Sequence, residues 1–189
     1  VYAKIAAAQA QVESVVQIEE GSPDDRADKL AGISNAKRKR AIDDQYERIR
    51  MNLSNEISKG LAEVERDGDK IIVRLAERGS FRSGFADLQP GFKPLLEKVG
   101  NSISDSSGLI TIEGHTDNVP MAFSERFRSN WDLSAARSAA VADYLLDNSN
   151  VAQGRVTIVG LADTKPLMSN GTSQGRSKNR RIEVIIDGG

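Results

Sequence analysis

The sequence predicts an α/β (α+β) domain: a four-stranded sheet with helices packed on it, preceded by a long N-terminal helical extension. Three observations predict it. From about residue 68, short β-branched runs and helical stripes follow in the order β-α-β-α-β-(loop or short helix)-β. Strands separated by helices imply crossover connections, hence a sheet covered by helices. Ahead of that unit runs one long stripe of apolar residues at helical spacing.

Residues 1–20 are rich in Ala, Gln and Val and read as weakly helical. Gly21-Ser22-Pro23 interrupts them, and Ser22 or Asp24 can cap a following helix. Residues 22–40 are polar, an exposed helix or a linker. The strong signal starts near Ala36: Ile42, Tyr46, Ile49, Leu53, Ile57, Leu61 and Val64 are spaced by 4, 3, 4, 4, 4 and 3. This is one face of an amphipathic helix, with Asp67-Gly68-Asp69 as its stop. Such a stripe docks on its own domain, the plainer reading, or on the same stripe of a second copy.

Lys70-Ile71-Ile72-Val73-Arg74-Leu75 alternates and reads as a strand. A loop containing Gly79, Ser80, Phe81 and Gly84 follows. Pro90 to about Ser104 reads as a helix on the face Phe92, Leu95, Leu96, Val99 and Ile103. Leu109–Glu113 is a second strand, 114–129 a long loop, and Trp131 to about Asp147 a second helix. Arg155–Val159 and Arg181–Ile186 complete the sheet, with a loop and a possible short helix between them. The chain thus divides into 1–35 (weakly helical linker), 36–67 (long amphipathic helix) and 68–189 (the α/β domain).

Composition narrows the function. Hydrophobic residues at 39% and charged residues at 28% belong to a folded, water-facing chain. With 26 Lys+Arg against 27 Asp+Glu, the net charge of −1 gives no polycation for nucleic acid or anionic lipid. The absence of cysteine excludes disulfides, thiolate catalysis and Cys-ligated zinc, and a single histidine, His115, excludes multi-histidine metal sites. No stretch approaches the ~18–20 apolar residues of a membrane helix. The first residue is Val rather than Met, as expected of a processed chain or a piece of a longer one.

Three clusters carry the chemistry. Gly114-His115-Thr116-Asp117 lies just past a strand end, where sites are built on such sheets; the plain role of Asp117 is a turn former. In Asn130-Trp131-Asp132-Leu133-Ser134-Ala135-Ala136-Arg137, Asn130 or Asp132 can cap the helix. Arg137 then falls in the early turns, where the helix dipole disfavours a cation. It therefore calls for a carboxylate, either a neighbour such as Asp132 or Asp117, or a bound anion. Arg176, Lys178, Arg180 and Arg181 cluster at the start of the last strand, and Lys37-Arg38-Lys39-Arg40 is a separate basic run. A nucleic-acid module would use these runs, but neither is interleaved with aromatics, and a solvated face is the plainer reading. No nucleophile–base pair, paired acid and base, phosphate loop or metal spacing is visible. His115 alone reads as a hydrogen-bonded structural residue. A binding module, not an enzyme, with no cofactor and no metal, is the expected class.

Taken in order, Gly114-His115-Thr116-Asp117, Asn130-x-x-Leu133-Ser134-x-x-Arg137, Gly160 with Pro166, and Gly175-Arg176-x-x-Asn179-Arg180-Arg181-Ile182-Glu183 resemble the OmpA-like peptidoglycan-binding domain. Gly79-Ser80-Phe81, Ser129 to Ser134, Gly160 to Thr164 and the long stretch 118–129 are similar to its flagellar stator branch, the MotB and PomB subunits. The resemblance covers roughly 68–187 and implies a four-stranded mixed sheet. It implies a pocket for the diaminopimelate group of the wall peptide, which ends in an ammonium and a carboxylate on one carbon. Asp117 matches the position that takes the ammonium and Arg137 the one that takes the carboxylate. Thr116, Asn130, Leu133 and Arg180 match positions lining that pocket. The stator branch further implies a homodimer and a partner stator A subunit of MotA or PomA type. It implies the periplasmic portion of a single-pass inner-membrane protein of a Gram-negative bacterium, with residues 1–66 as the post-membrane linker. A passive OmpA- or Pal-type anchor of the outer membrane is the alternative within the family.

Overall fold

The computed structural model describes residues 23–121 and 126–188. The readings made for residues 1–20 and the cap at Ser22 lie outside them. The chain forms two compact units, Val1–Ala41 and Ile42–Gly189. Helix α1 (Pro23–Asn52) runs from the first into the second. Up to Ala41 its described side chains are exposed except Ile33, which is half-buried. No described helix is long and apolar enough to cross a membrane.

In the second unit, α1 is followed by a short helix α2 (Ser54–Ser58) and strands β1 (Ala62–Asp67) and β2 (Lys70–Ala76). A 3-10 turn, Pro90–Phe92, leads into α3 (Lys93–Ser104), then β3 (Ile110–His115), α4 (Asn130–Asn148) and β4 (Val156–Gly160). Helix α5 (Ser173–Asn179) and β5 (Arg181–Asp187) end the fold. The sheet is mixed and has five strands in the order β1-β2-β5-β3-β4. All neighbours are antiparallel except β3 and β4, which are joined by the crossover through α4.

The fifth strand corrects the four-stranded expectation. The long helix ends at Asn52, Ile57 falls in the short helix α2, and Val64 belongs to β1 instead. Ala62-Glu63-Val64-Glu65 alternates with period two, and its one-sided burial is that of a half-covered strand. Leu61 and Val64 also fit a spacing of three and four, so the helical count absorbed them. Asp67-Gly68-Asp69 is not a helix stop. Asp67 pairs with Lys70, leaving Gly68-Asp69 as a two-residue hairpin loop, and Gly68 has φ +59, as such tight loops require.

One face of the sheet is apolar. Ile71, Val73 and Leu75 of β2 align with Ile186, Val184 and Ile182 of β5, which align in turn with Ile110, Ile112 and Gly114 of β3. Leu96, Val99, Ile103, Val141 and Leu145 from α3 and α4 join them in one core, as do Ile42 and Ile49 from α1 and Leu53 just after it. The stripe thus docks on its own chain. Each large apolar side chain so buried contributes roughly 1.5–3 kcal/mol. The opposite face is a charge ladder across the strands, Glu65–Arg74–Glu183–Arg181, with Glu113 and Lys165 continuing it.

Two glycines fix how closely α4 lies on the sheet. A Cβ at Gly114 would meet the Ser134 carbonyl oxygen at 2.2 Å, and one at Gly160 would meet the Ala135 nitrogen at 2.6 Å. Because neither position carries a Cβ, the first turns of α4 rest directly on β3 and β4. This brings Arg137 to the sheet end where β2 and β3 finish and β5 begins.

Candidate functional site

At that end, a cavity of about 790 Å³ is lined by Thr116, Asp117, Asn130, Leu133, Arg137 and Arg180. All six residues singled out from the sequence therefore line one space. Glu77, Phe81, Phe85 and Arg176 line it as well.

Each side chain has a backbone reason for its place. The Thr116 amide donates to the Ala162 carbonyl at 2.8 Å, which carries the β3–β4 pairing past the strand ends. Asp117 follows and divides its carboxylate: Oδ1 accepts the Val119 amide at 3.0 Å, while Oδ2 meets Arg180 Nη1 at 2.6 Å. It is thus both the turn former and a charged partner. Asn130 Nδ2 donates to the carbonyls of Asp117 and Val119, which ties the start of α4 to this loop. The cap of α4 is Ser129, whose hydroxyl accepts the Asp132 amide, rather than Asn130 or Asp132. Asp132 instead accepts from Arg128.

Arg137 is 2% exposed and does have a carboxylate, but a different one from either neighbour expected. Its Nη1 lies 2.6 Å from Glu77 Oε1. Its Nε donates to the Phe85 carbonyl at 2.9 Å and its Nη2 to the Arg82 carbonyl at 3.3 Å, and the guanidinium stands 5.0 Å from the Phe81 ring centre. Burial pulls its pKa below the ordinary value, and Glu77 works in the opposite direction. The other Glu77 oxygen pairs with Arg180 Nε. Burial lowers the Arg180 pKa, but the hydrogen bonds to Asp117 and Glu77 outweigh it and the net shift is upward. The charged groups therefore form a chain of alternating sign, Arg137–Glu77–Arg180–Asp117.

Glu77 was not singled out from the sequence. It follows β2 as one acidic residue among many, and no motif marks it. A signal existed in the register: Ala76 pairs with Arg181, so the next residue faces Arg180, and the Glu77 amide donates to the Arg180 carbonyl at 3.2 Å.

The basic cluster 176–181 is committed within the fold. Lys178 pairs with Glu63, Arg180 with Glu77 and Asp117, Arg181 with Glu183, and Arg176 donates to the Asn170 carbonyl at 2.9 Å. Residues 37–40 are exposed. Pairing of this kind leaves little net positive field at 176–181 for a polyanion.

His115 differs from expectation. It is 2% exposed, yet neither ring nitrogen has a hydrogen-bond partner among the described residues, and Nε2 stands 3.4 Å from Glu113 Oε2. Glu113, His115 and Glu183 offer ligand atoms within 4.8 Å of one another. Glu183 already holds Arg74 and Arg181, and Glu113 faces Lys165, so a cation there would compete with three resident ones.

Burial first, then the charge of Arg181, pushes the His115 pKa down to about 4. The unfolded chain, with its pKa near 6.5, therefore takes up the proton first as pH falls. The contribution of neutral His115 to stability is full above about pH 6.5 and is lost progressively down to about pH 4. A gap of that size corresponds to roughly 3 kcal/mol. Urea midpoints at pH 7 and pH 4.5 check this: the wild type should lose stability between them, and His115→Gln should lose far less. Equal losses would remove His115 as the cause.

A sequence profile described as the OmpA family matches residues 80–180. Motility protein B of Bacillus subtilis (strain 168) is 34% identical over 125 residues, which cover 66% of this chain and 48% of that protein. Two solved structures share the fold. The cell wall anchor of the T6SS from Pseudomonas aeruginosa is 33% identical with a TM-score of 0.69, covering 74% of this chain and 96% of that one. A putative MotB like protein from Desulfovibrio vulgaris is 28% identical with a TM-score of 0.73, covering 78% and 94%. The chain spans about half or less of the length of the curated relatives it matches first.

Proposed function

Because this chain belongs to the OmpA family, of the type carried by Motility protein B, we propose that its cavity binds the free amino-acid head of the diaminopimelate stem in peptidoglycan. Binding is non-catalytic and fastens the protein to the cell wall. The observation that carries this reading is one buried cation and one anion, Arg137 and Asp117, lining the same cavity. A planar guanidinium matches a carboxylate through two parallel bonds. Asp117 supplies the counter-charge for the ammonium on the same carbon, and Leu133 and Phe81 give the stem an apolar wall.

The likeness to Motility protein B supports a flagellar stator as the anchored machine. On this reading the domain is periplasmic, works as a homodimer, and belongs to a single-pass inner-membrane protein that joins MotA- or PomA-type subunits. Fixing that assembly to the wall gives torque a reaction point. A second reading, a wall anchor of a non-flagellar machine, is favoured by the likeness to the T6SS anchor. A deletion strain separates them: paralysis with an intact envelope supports the stator, and normal swimming supports the other.

The binding reading is tested by sedimentation with purified insoluble peptidoglycan, with folding checked by circular dichroism. Wild type should pellet. Asp117→Asn removes a charge-assisted contact and Arg137→Lys removes the planar fork, and each should weaken binding by at least about tenfold. Equal pelleting of all three folded proteins would take Asp117 and Arg137 out of the site.

A further inference from the structure

We propose that Glu77 is a specificity-determining residue of this cavity, which makes it accept a zwitterionic head and refuse a simple carboxylate. The proposal rests on the reading of the cavity as an amino-acid-head site. Glu77 lies outside the segment that matches the family, residues 80–180, and outside every motif that carried the resemblance.

In the paired chain Arg137–Glu77–Arg180–Asp117, two positive charges are matched by two negative ones, while Arg78, Arg126 and Arg176 complete the charged lining of the cavity. Glu77 touches both arginines, with Oε1 2.6 Å from Arg137 Nη1 and Oε2 on Arg180 Nε. Its side chain is 13% exposed, so these pairs are poorly screened. The placement is rigid. The Glu77 amide is bonded to the Arg180 carbonyl, and its own carbonyl accepts the Ser80 amide at 2.8 Å.

A lone carboxylate arriving at Arg137 meets a guanidinium that is already neutralised, with a like charge beside it. It must displace Glu77 or share with it, which places two carboxylates on one buried guanidinium. A head group bearing an ammonium on the same carbon changes that balance. The ammonium answers Glu77 and Asp117, the carboxylate answers Arg137 and Arg180, and the four-membered chain keeps its balance. Without Glu77, that chain would hold one excess positive charge and would welcome a monoanion. Asp117 attracts the ammonium, whereas Glu77 adds refusal of ligands that lack it.

The test is calorimetry on the full chain with three synthetic L-Ala-γ-D-Glu tripeptides. The third residue is meso-diaminopimelate with its distal amine free, the same residue with that amine acetylated, or 2-aminopimelate, which keeps the linking amine and has no distal one (the pimelate peptide). Wild type should bind the free-amine peptide at least about tenfold more tightly than either of the others. In Glu77→Gln that ratio should fall to within about threefold, because the acetylated and pimelate peptides gain affinity. A folded Glu77→Gln that keeps the wild-type ratio, or loses all three peptides alike, overturns the proposal while leaving the site reading intact. Wild type binding the pimelate peptide as tightly as the free-amine one overturns it without any variant. Wild type binding none of the three overturns the site reading itself.

Discussion

Gly114→Ala is expected to lose about 3 kcal/mol or more, and to unfold roughly 6–12 °C below the wild type. The added Cβ would lie 2.2 Å from the Ser134 carbonyl oxygen, 2.9 Å from its carbon and 2.6 Å from Ser138 Oγ. A side chain can rotate away, but a helix backbone cannot, so α4 must lift off β3. Ser138 Oγ also bonds the Ser134 and Val159 carbonyls, so lifting breaks the contact with β4 as well. Arg137 is less than one turn beyond Ser134 and would be drawn from Glu77 by the same movement. Gly154→Ala is the control: a Cβ there has nothing within 4 Å, and its effect should stay within about 0.5 kcal/mol. Thermal and urea unfolding of the two variants decide the matter. A Gly114→Ala protein as stable as Gly154→Ala would mean that α4 is not seated as described.

Arg137→Ala should be comparably severe, at about 3–5 kcal/mol, because it strips a buried ion pair of one partner. Glu77 would keep only Arg180. The carbonyls of Arg82 and Phe85 would lose their donor, and Phe81 the cation beside its ring. The loop from Glu77 to Gln89 is held by these contacts. Its amides should therefore exchange with deuterium faster in the variant, even where the core stays protected. Peptidoglycan pelleting should be lost too. Arg128→Ala offers the contrast, since that side chain is 94% exposed and its pairing with Asp132 is a surface i,i+4 bridge. It should cost about 0.5 kcal/mol or less. If the two arginines prove equivalent by urea unfolding, the buried network is not what holds the loop.

Much of this molecule was legible in its sequence for physical reasons that act locally. Alternation in Ile71–Leu75 marks a strand because one face of its pleat is the more deeply buried. The stripe Leu133, Val141 and Leu145 marks α4 because it covers that face. Asn179 was quoted as part of a motif, and its fixed place has a local cause. Its side chain accepts the Leu167 and Met168 amides and donates to the Met168 carbonyl, so one buried amide folds the 165–171 loop. The six site residues came from a resemblance, and they line one cavity because each stands at or just beyond an element that converges on the same sheet end.

Other features were beyond linear reading. Strand β1 hid inside a helical count because spacings of three and four and a period of two overlap over so few residues. The cap fell to Ser129 rather than Asn130, since candidate caps lie side by side and only the backbone angle chooses between them.

The sequence by itself determined which chemical groups the site would hold: an acid after a strand, an arginine early in a helix, and a further arginine before the last strand. Only the tertiary structure decided which of them pair. Arg137 was expected to find Asp132, Asp117 or a ligand, and it finds Glu77. Glu77 meets Arg180 across 103 positions of chain, and Arg180 meets Asp117 across 63. Side-chain identity and periodicity are properties of neighbours along the chain. Charge pairing is set by strand register and by how closely a helix approaches the sheet, and those are fixed only when the whole core closes.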